Sequence, residues 1–116
     1  MQFLLRKVTK TAGGVEAHQD SVLNLDGVTI GRAPNQTIHL FSTGVPLEHL
    51  RITPIRNGFR VKSLSSLSFE VNGKRQRNAI INIGDKLNVS GHQLTVIEPP
   101  DSIDLALSLC EENETQ

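Results

Sequence analysis

The chain has 116 residues, with twelve basic and twelve acidic side chains and a formal net charge of zero; this length fits one domain with a core of its own. That balance leaves no global field to hold nucleic acid or an anionic membrane, so any charged partner is met locally. Aromatic content is 3%, with no Trp and no Tyr, which argues against a stacking platform for single-stranded nucleic acid and against an aromatic sugar-binding face.

Apolar positions recur mostly with period two, the spacing of half-buried strands. Phe3, Leu5 and Val8 open a first strand, slightly out of step, and Val22-Leu23-Asn24-Leu25 reads as a second, ended by Asp26-Gly27. Val28 and Ile30 make a third strand and Ile38 with Leu40 a short fourth. His49 to Ile55 is a fifth, and Asn57-Gly58 is the strongest hairpin signal in the chain. Phe59 and Val61 return from it, Phe69 and Val71 mark a strand ended by Asn72-Gly73, and Ile81 with Ile83 leads into Gly84-Asp85. Leu87-Val89 and Leu94-Val96 form a last hairpin across Ser90-Gly91. Short strands with turns at this spacing predict an all-β sandwich, with Phe3, Phe41, Phe59 and Phe69 as the large members of its core. Pro99-Pro100 stops the sheet. Asp101-Ser102-Ile103-Asp104 reads as a capped helix start, with Ile103, Ala106 and Leu107 on one face. The sequence thus divides into a sandwich domain over 1–98 and, over 99–116, a Pro-Pro break, a short helix and the polar tail Glu111 to Gln116.

Cys110 is the single cysteine. It has no partner for an internal disulfide and excludes a Cys-rich zinc site, and a reducing, cytoplasmic setting follows. Met1 to Lys10 carries Arg6, Lys7 and Lys10 without a long apolar run, so it reads as neither a signal peptide nor a membrane span. His18, His39 and His92 fall in separate elements without ligand spacing, so no metal is expected. No nucleophile motif or phosphate loop is present, and no cofactor or catalytic residue is expected. The serines at 63, 65, 66 and 68 read as an ordinary loop or as a phosphorylation target.

The chemistry concentrates in Val28-Thr29-Ile30-Gly31-Arg32 and Val45-Pro46-Leu47-Glu48-His49. A glycine and an arginine end an apolar strand, and a histidine opens the next. With Val71-Asn72-Gly73 and Gly84-Asp85 following in order, the chain resembles the forkhead-associated (FHA) domain over about residues 2 to 98. That resemblance implies an FHA-like β-sandwich of about ten or eleven strands, here with a short C-terminal helix, that presents loops to phosphothreonine peptides. It places Arg32 at the family's phosphate-contacting arginine, whose fork suits an oxyanion. His49 falls on the histidine that braces the binding loops.

The other positions depart from the pattern. The phosphate-binding serine falls on Pro46, which lacks a side-chain donor and an N–H. The arginine after it falls on Leu47. The peptide-holding asparagine falls on Leu67, with Ser68 and Phe69 in place of the family's Gly and Thr. A hydrogen bond to a charged group contributes roughly 1.5–3 kcal/mol. Losing two or three costs about 3–9 kcal/mol, enough to turn a micromolar site millimolar. The sequence therefore predicts a non-catalytic protein–protein interaction module of divergent FHA type, with phosphothreonine recognition lost or weak. Its expected partner-binding set is Arg32, Pro46, Leu47, His49, Leu67, Ser68 and Asn72. The partner is a protein or another part of a longer chain, with no nucleic acid and no membrane contact by this chain.

Two alternatives remain at this point. One is a working phosphothreonine reader that uses Arg32 and the basic run Lys74, Arg75 and Arg77. The other is a self-association domain that pairs through exposed strands or through Ile103 and Leu107. The ending Glu98-Pro99-Pro100 to Asp104-Leu105-Ala106-Leu107 is also similar to the cytoplasmic N-terminal region of certain bacterial membrane proteins with a cytochrome c3-like haem part. This similarity implies the head of a longer chain.

Overall fold

A computed structural model describes residues 1–112 and realises the period-two pattern as two stacked sheets. In chain order the strands are β1 (Gln2–Lys10), β2 (Glu16–Asn24), β3 (Val28–Gly31), β4 (Ile38–His39), β5 (Leu50–Ile55), β6 (Gly58–Ser63), β7 (Phe69–Val71), β8 (Lys74–Gln76), β9 (Asn78–Ile81), β10 (Lys86–Val89), β11 (His92–Ile97) and β12 (Leu105–Glu112). The larger sheet runs β2-β1-β12-β11-β10-β7-β8 and the smaller β4-β3-β5-β6-β9. Alternate residues of the inner strands face the space between them: Val28 and Ile30, Leu50 and Ile52, Leu87 and Val89, Leu94 and Val96 are all buried. Each such side chain contributes about 1.5–3 kcal/mol of transfer free energy. The β7–β8 and β10–β11 hairpins turn on Asn72-Gly73 and Ser90-Gly91, all four residues at positive φ, as two-residue turns matched to strand twist require.

The segment expected to be a helix is β12. Leu105, Leu107 and Leu109 alternate with Ala106, Ser108 and Cys110, and the three leucines are buried. That is strand period, and two otherwise bare sheet edges lie ready for it. β12 runs parallel to β1 and antiparallel to β11, filling the gap between them. Asp104 does not cap a helix. Its carboxylate accepts the Gln2 N–H at 2.7 Å, and its own N–H donates to the Gln2 carbonyl at 2.9 Å. Ser102, at φ +72°, swings the chain into that pairing. Leu107 is fully buried, so it has no surface to offer a second copy.

Twelve strands stand where ten or eleven are expected, β8 and β12 being the additions. Phe41 is not a core residue: it is 78% exposed and packs on the His39 ring, with centroids 4.0 Å apart. Of the polar tail, the backbones of Glu111 and Glu112 pair with Thr9 and Lys10, and residues 113–116 lie outside the described residues.

Candidate recognition site

The loops between β3 and β5 and between β6 and β7 meet at one end of the sandwich, and backbone hydrogen bonds assemble them. Arg32 N–H donates to the Pro46 carbonyl at 3.0 Å, Ala33 N–H to that of Leu47 at 3.1 Å, and His49 N–H to that of Ile30 at 3.0 Å. The segment 45–49 of the β4–β5 connection therefore lies alongside 30–33. Gly31 makes this approach possible. A Cβ there would stand 2.2 Å from the Leu47 carbonyl oxygen and 2.9 Å from its carbon, closer than any side chain tolerates.

His49 is the joint. It is fully buried, its carbonyl accepts the Leu64 N–H at 2.7 Å, and its Nδ1 lies 3.1 Å from Ser65 Oγ. Its Nε2 has no partner among the described residues, and burial pushes its pKa below the ordinary histidine value. The serines beyond it are spent on the loop itself. Ser63 Oγ donates to the Leu67 carbonyl at 2.7 Å, and Ser65 Oγ accepts the Leu67 N–H at 3.1 Å. The Ser65 bond, to an amide two residues on, is the ordinary turn chemistry of serine, while that of Ser63 spans four residues. Arg77, on the connection from β8 to β9, reaches this loop and donates from Nη2 to the Ser65 carbonyl at 3.1 Å. The Ser63-x-Ser65-x-Leu67 spacing signals the first of these bonds in the sequence, while nothing local signals Arg77.

Arg32 is exposed, and its Nε donates to the Val45 carbonyl at 3.1 Å. That contact aims the guanidinium, and among the described residues no carboxylate pairs with it. Pro46 has no N–H, and its carbonyl is already taken by Arg32. The same loops expose large apolar side chains, with Phe41, Leu47, Leu64 and Leu67 at 78%, 54%, 49% and 46%, beside the polar Thr43, Glu48 and Ser66. Ser68 is half-buried where the second loop enters β7.

Asn72 stands apart. It lies at the other end of β7, about 10 Å along the strand by the rise of an extended chain. There it latches two turns: its Nδ2 donates to Asp85 Oδ1 at 3.0 Å, and its Oδ1 accepts the Lys86 N–H at 3.0 Å. Asp85 in turn accepts the Asn82 N–H at 2.8 Å. The basic run divides in the same way, since Lys74 pairs with Val71 beside that far turn and only Arg77 reaches the loop end.

The family model of the FHA domain matches residues 28–90, more than half of the chain. The chain belongs to the FHA domain family. It is similar to the second FHA domain of a Mycobacterium tuberculosis ABC transporter, at 26% identity and a TM-score of 0.62, over 78% of this chain and 80% of that one. Two further solved structures share the fold. EmbR of Mycobacterium tuberculosis, solved with a low affinity phosphopeptide, is 24% identical over 76% of this chain and 23% of its own length, with a TM-score of 0.60. The FhaA FHA domain, solved with the intracellular domain of another protein, is 22% identical over 65% of this chain and 84% of its own, with a TM-score of 0.56. Comparison with the curated proteins finds no match. FHA domains are as a class non-catalytic interaction modules of signalling, and relatives of this one bind phosphothreonine peptides. Among the described residues no helix is long and apolar enough to cross a membrane, and no group of His, Cys, Asp and Glu is placed to hold a metal.

Proposed function

We propose that this FHA domain is a non-catalytic docking module that grips a protein segment at its loop end, with phosphothreonine recognition lost or weak. The observation that carries the reading is position 46. A proline stands where a hydroxyl would donate to phosphate, and its only polar atom is already bonded to the Arg32 backbone. The Arg32 guanidinium then remains to face an anion, on loops that also expose Phe41, Leu47, Leu64 and Leu67. That combination suits a segment with one acidic group flanked by apolar side chains, since the buried apolar contacts supply affinity and the arginine fixes orientation. Titration calorimetry with matched phosphorylated and unphosphorylated peptides tests it. Equal or undetectable binding of the pair is expected, and a low-micromolar affinity that depends on the phosphate overturns it.

A second reading, in which the site still takes phosphothreonine, is favoured by one observation: Arg77 stands at the loop through Ser65 and brings a second guanidinium to that end. The same titration decides between the two. The wider setting, the cytoplasmic head of a longer membrane protein, is supported only by the similarity of residues 98–107 and is tested by reading the gene beyond residue 116.

A further inference from the structure

The two sheets have four edges, and three of them are blunted. β8 has three residues and carries Lys74 and Arg75, β4 has two residues and β9 has four. Short or charged edges are how proteins prevent strand addition. β2 is different. It has nine residues with no Lys, Arg or Pro, every one of them is exposed, and its two carboxylates, Glu16 and Asp20, are drawn to Lys10 and Arg6 of β1. Its pairing with β1 runs unbroken from Gln2–Asn24 to Lys10–Glu16, so no bulge turns the edge away.

The phase of that ladder fixes which backbone groups are left over. Met1 and Leu25 exchange both hydrogen bonds, at 2.7 and 2.9 Å, and Thr11 N–H donates to the Val15 carbonyl at 3.0 Å. In an antiparallel pair, bonded and non-bonded positions alternate. The odd residues of β2 therefore bond to β1. Glu16, His18, Asp20, Val22 and Asn24 turn their N–H and C=O groups outward, where no strand of the described residues lies beside them.

We propose that β2 pairs antiparallel with β2 of a second copy about a two-fold axis through Gln19, joining the two larger sheets into one. The self-complementarity of the strand selects the second copy as the occupant and selects this register. On one face Val15, 64% exposed, meets the partner's Leu23, 39% exposed, and by symmetry the pair forms twice. On the other face His18 stands opposite the partner's Asp20, and Val22 opposite the aliphatic stem of the partner's Glu16. Asp20 is already held in a two-pronged pair by Arg6 of its own chain, at 2.9 and 3.0 Å, so its carboxylate is fixed in place for the incoming imidazole. Centring the pair on Asp20 sets two carboxylates opposite each other, which is destabilising. Centring it on Ser21 puts Asp20 against Val22 and leaves Val15 without a partner. The chosen register also pairs outward-facing residues with outward-facing residues, as the ladder demands. The loop end is independent of this edge. In the antiparallel dimer the two Arg32 sites point in opposite directions, and both remain open.

Crosslinking and sedimentation test the register. Gln19 and the partner's Gln19 form a non-bonded pair with Cα atoms about 4.5 Å apart, within reach of a disulfide. In a Cys110→Ser background, Gln19→Cys is expected to oxidise to a dimer, while Ser21→Cys, four residues out of register with its counterpart, is not. Val22→Pro removes an outward N–H without touching the ladder to β1. It is expected to weaken self-association by about tenfold or more in sedimentation equilibrium, with the thermal melt of the monomer retained. A chain that stays monomeric at about 1 mM overturns the proposal. So does association that Val22→Pro leaves unchanged, or crosslinking through Ser21→Cys in place of Gln19→Cys.

Discussion

His49 Nδ1 lies 3.1 Å from Ser65 Oγ, and this contact ties the strand after Leu47 to the loop before Phe69. The same hydroxyl accepts the Leu67 N–H at 3.1 Å. Ser65→Ala therefore strips a partner from a fully buried imidazole and from a loop amide together. We expect a loss of about 1–3 kcal/mol in urea unfolding. Faster hydrogen exchange at Leu64 and Leu67 should accompany it, while amides of β10 and β11 hold their protection.

Burial lowers the His49 pKa, so the folded protein keeps the ring neutral where the unfolded chain, near the ordinary value of about 6.5, takes a proton. The unfolded state then binds more protons across that interval, and stability rises with pH through it. The contribution is fully present above the unfolded value and is lost as pH falls below it. Unfolding midpoints measured from pH 7.5 down to 5 should therefore decline. In His49→Gln, which starts lower, this part of the decline should vanish.

Gly31→Ala should act through its neighbour. The new Cβ would meet the Leu47 carbonyl, forcing the 45–49 segment away from Arg32. A cost of about 1–3 kcal/mol is expected, as for other overpacked sites. The Arg32 and Ala33 amides should show the largest chemical-shift changes.

Arg32→Ala removes an exposed side chain with one backbone contact. Stability should change by no more than about 1 kcal/mol. Binding of a segment selected from a peptide display library should weaken by about 1.5–3 kcal/mol, the range for a charged hydrogen-bonded contact. Leu67→Ser should weaken the same segment without lowering the melting temperature.

Asn72→Ala separates turn from site. Its amide serves Asp85 and Lys86, and its φ of +53° suits asparagine better than alanine. A loss of about 1–3 kcal/mol in stability with unchanged affinity for the same segment is the expected outcome.

The sandwich was legible because inward positions such as Leu50/Ile52 and Leu87/Val89 alternate strictly and the Asn-Gly and Ser-Gly turns punctuate them. β12 was misread because Ile103, Ala106 and Leu107 also satisfy helical spacing. Only the vacancy between β1 and β11, a property of the whole sheet, decides for the strand. Phe41 fits a core by residue type, yet it lies in the loop after β4 with its ring largely exposed. At the site, that position 46 carries no side-chain donor is legible in the sequence, whereas three relationships depend on tertiary approach: Gly31 beneath Leu47, Arg77 against Ser65, and Asn72 turned away from Arg32.

β12 lies between β1 and β11, so two strands about a hundred residues apart in the sequence are neighbours. The smaller sheet draws only on residues 28–81 and can assemble while synthesis continues. The β1–β2 hairpin must wait on the ribosome with one edge of β1 unpaired until residues 105–112 emerge. The order of translation thus delays the shielding of one side of this domain, and a nascent-chain protease assay should find the hairpin cleavable long after β5 and β6 have become resistant.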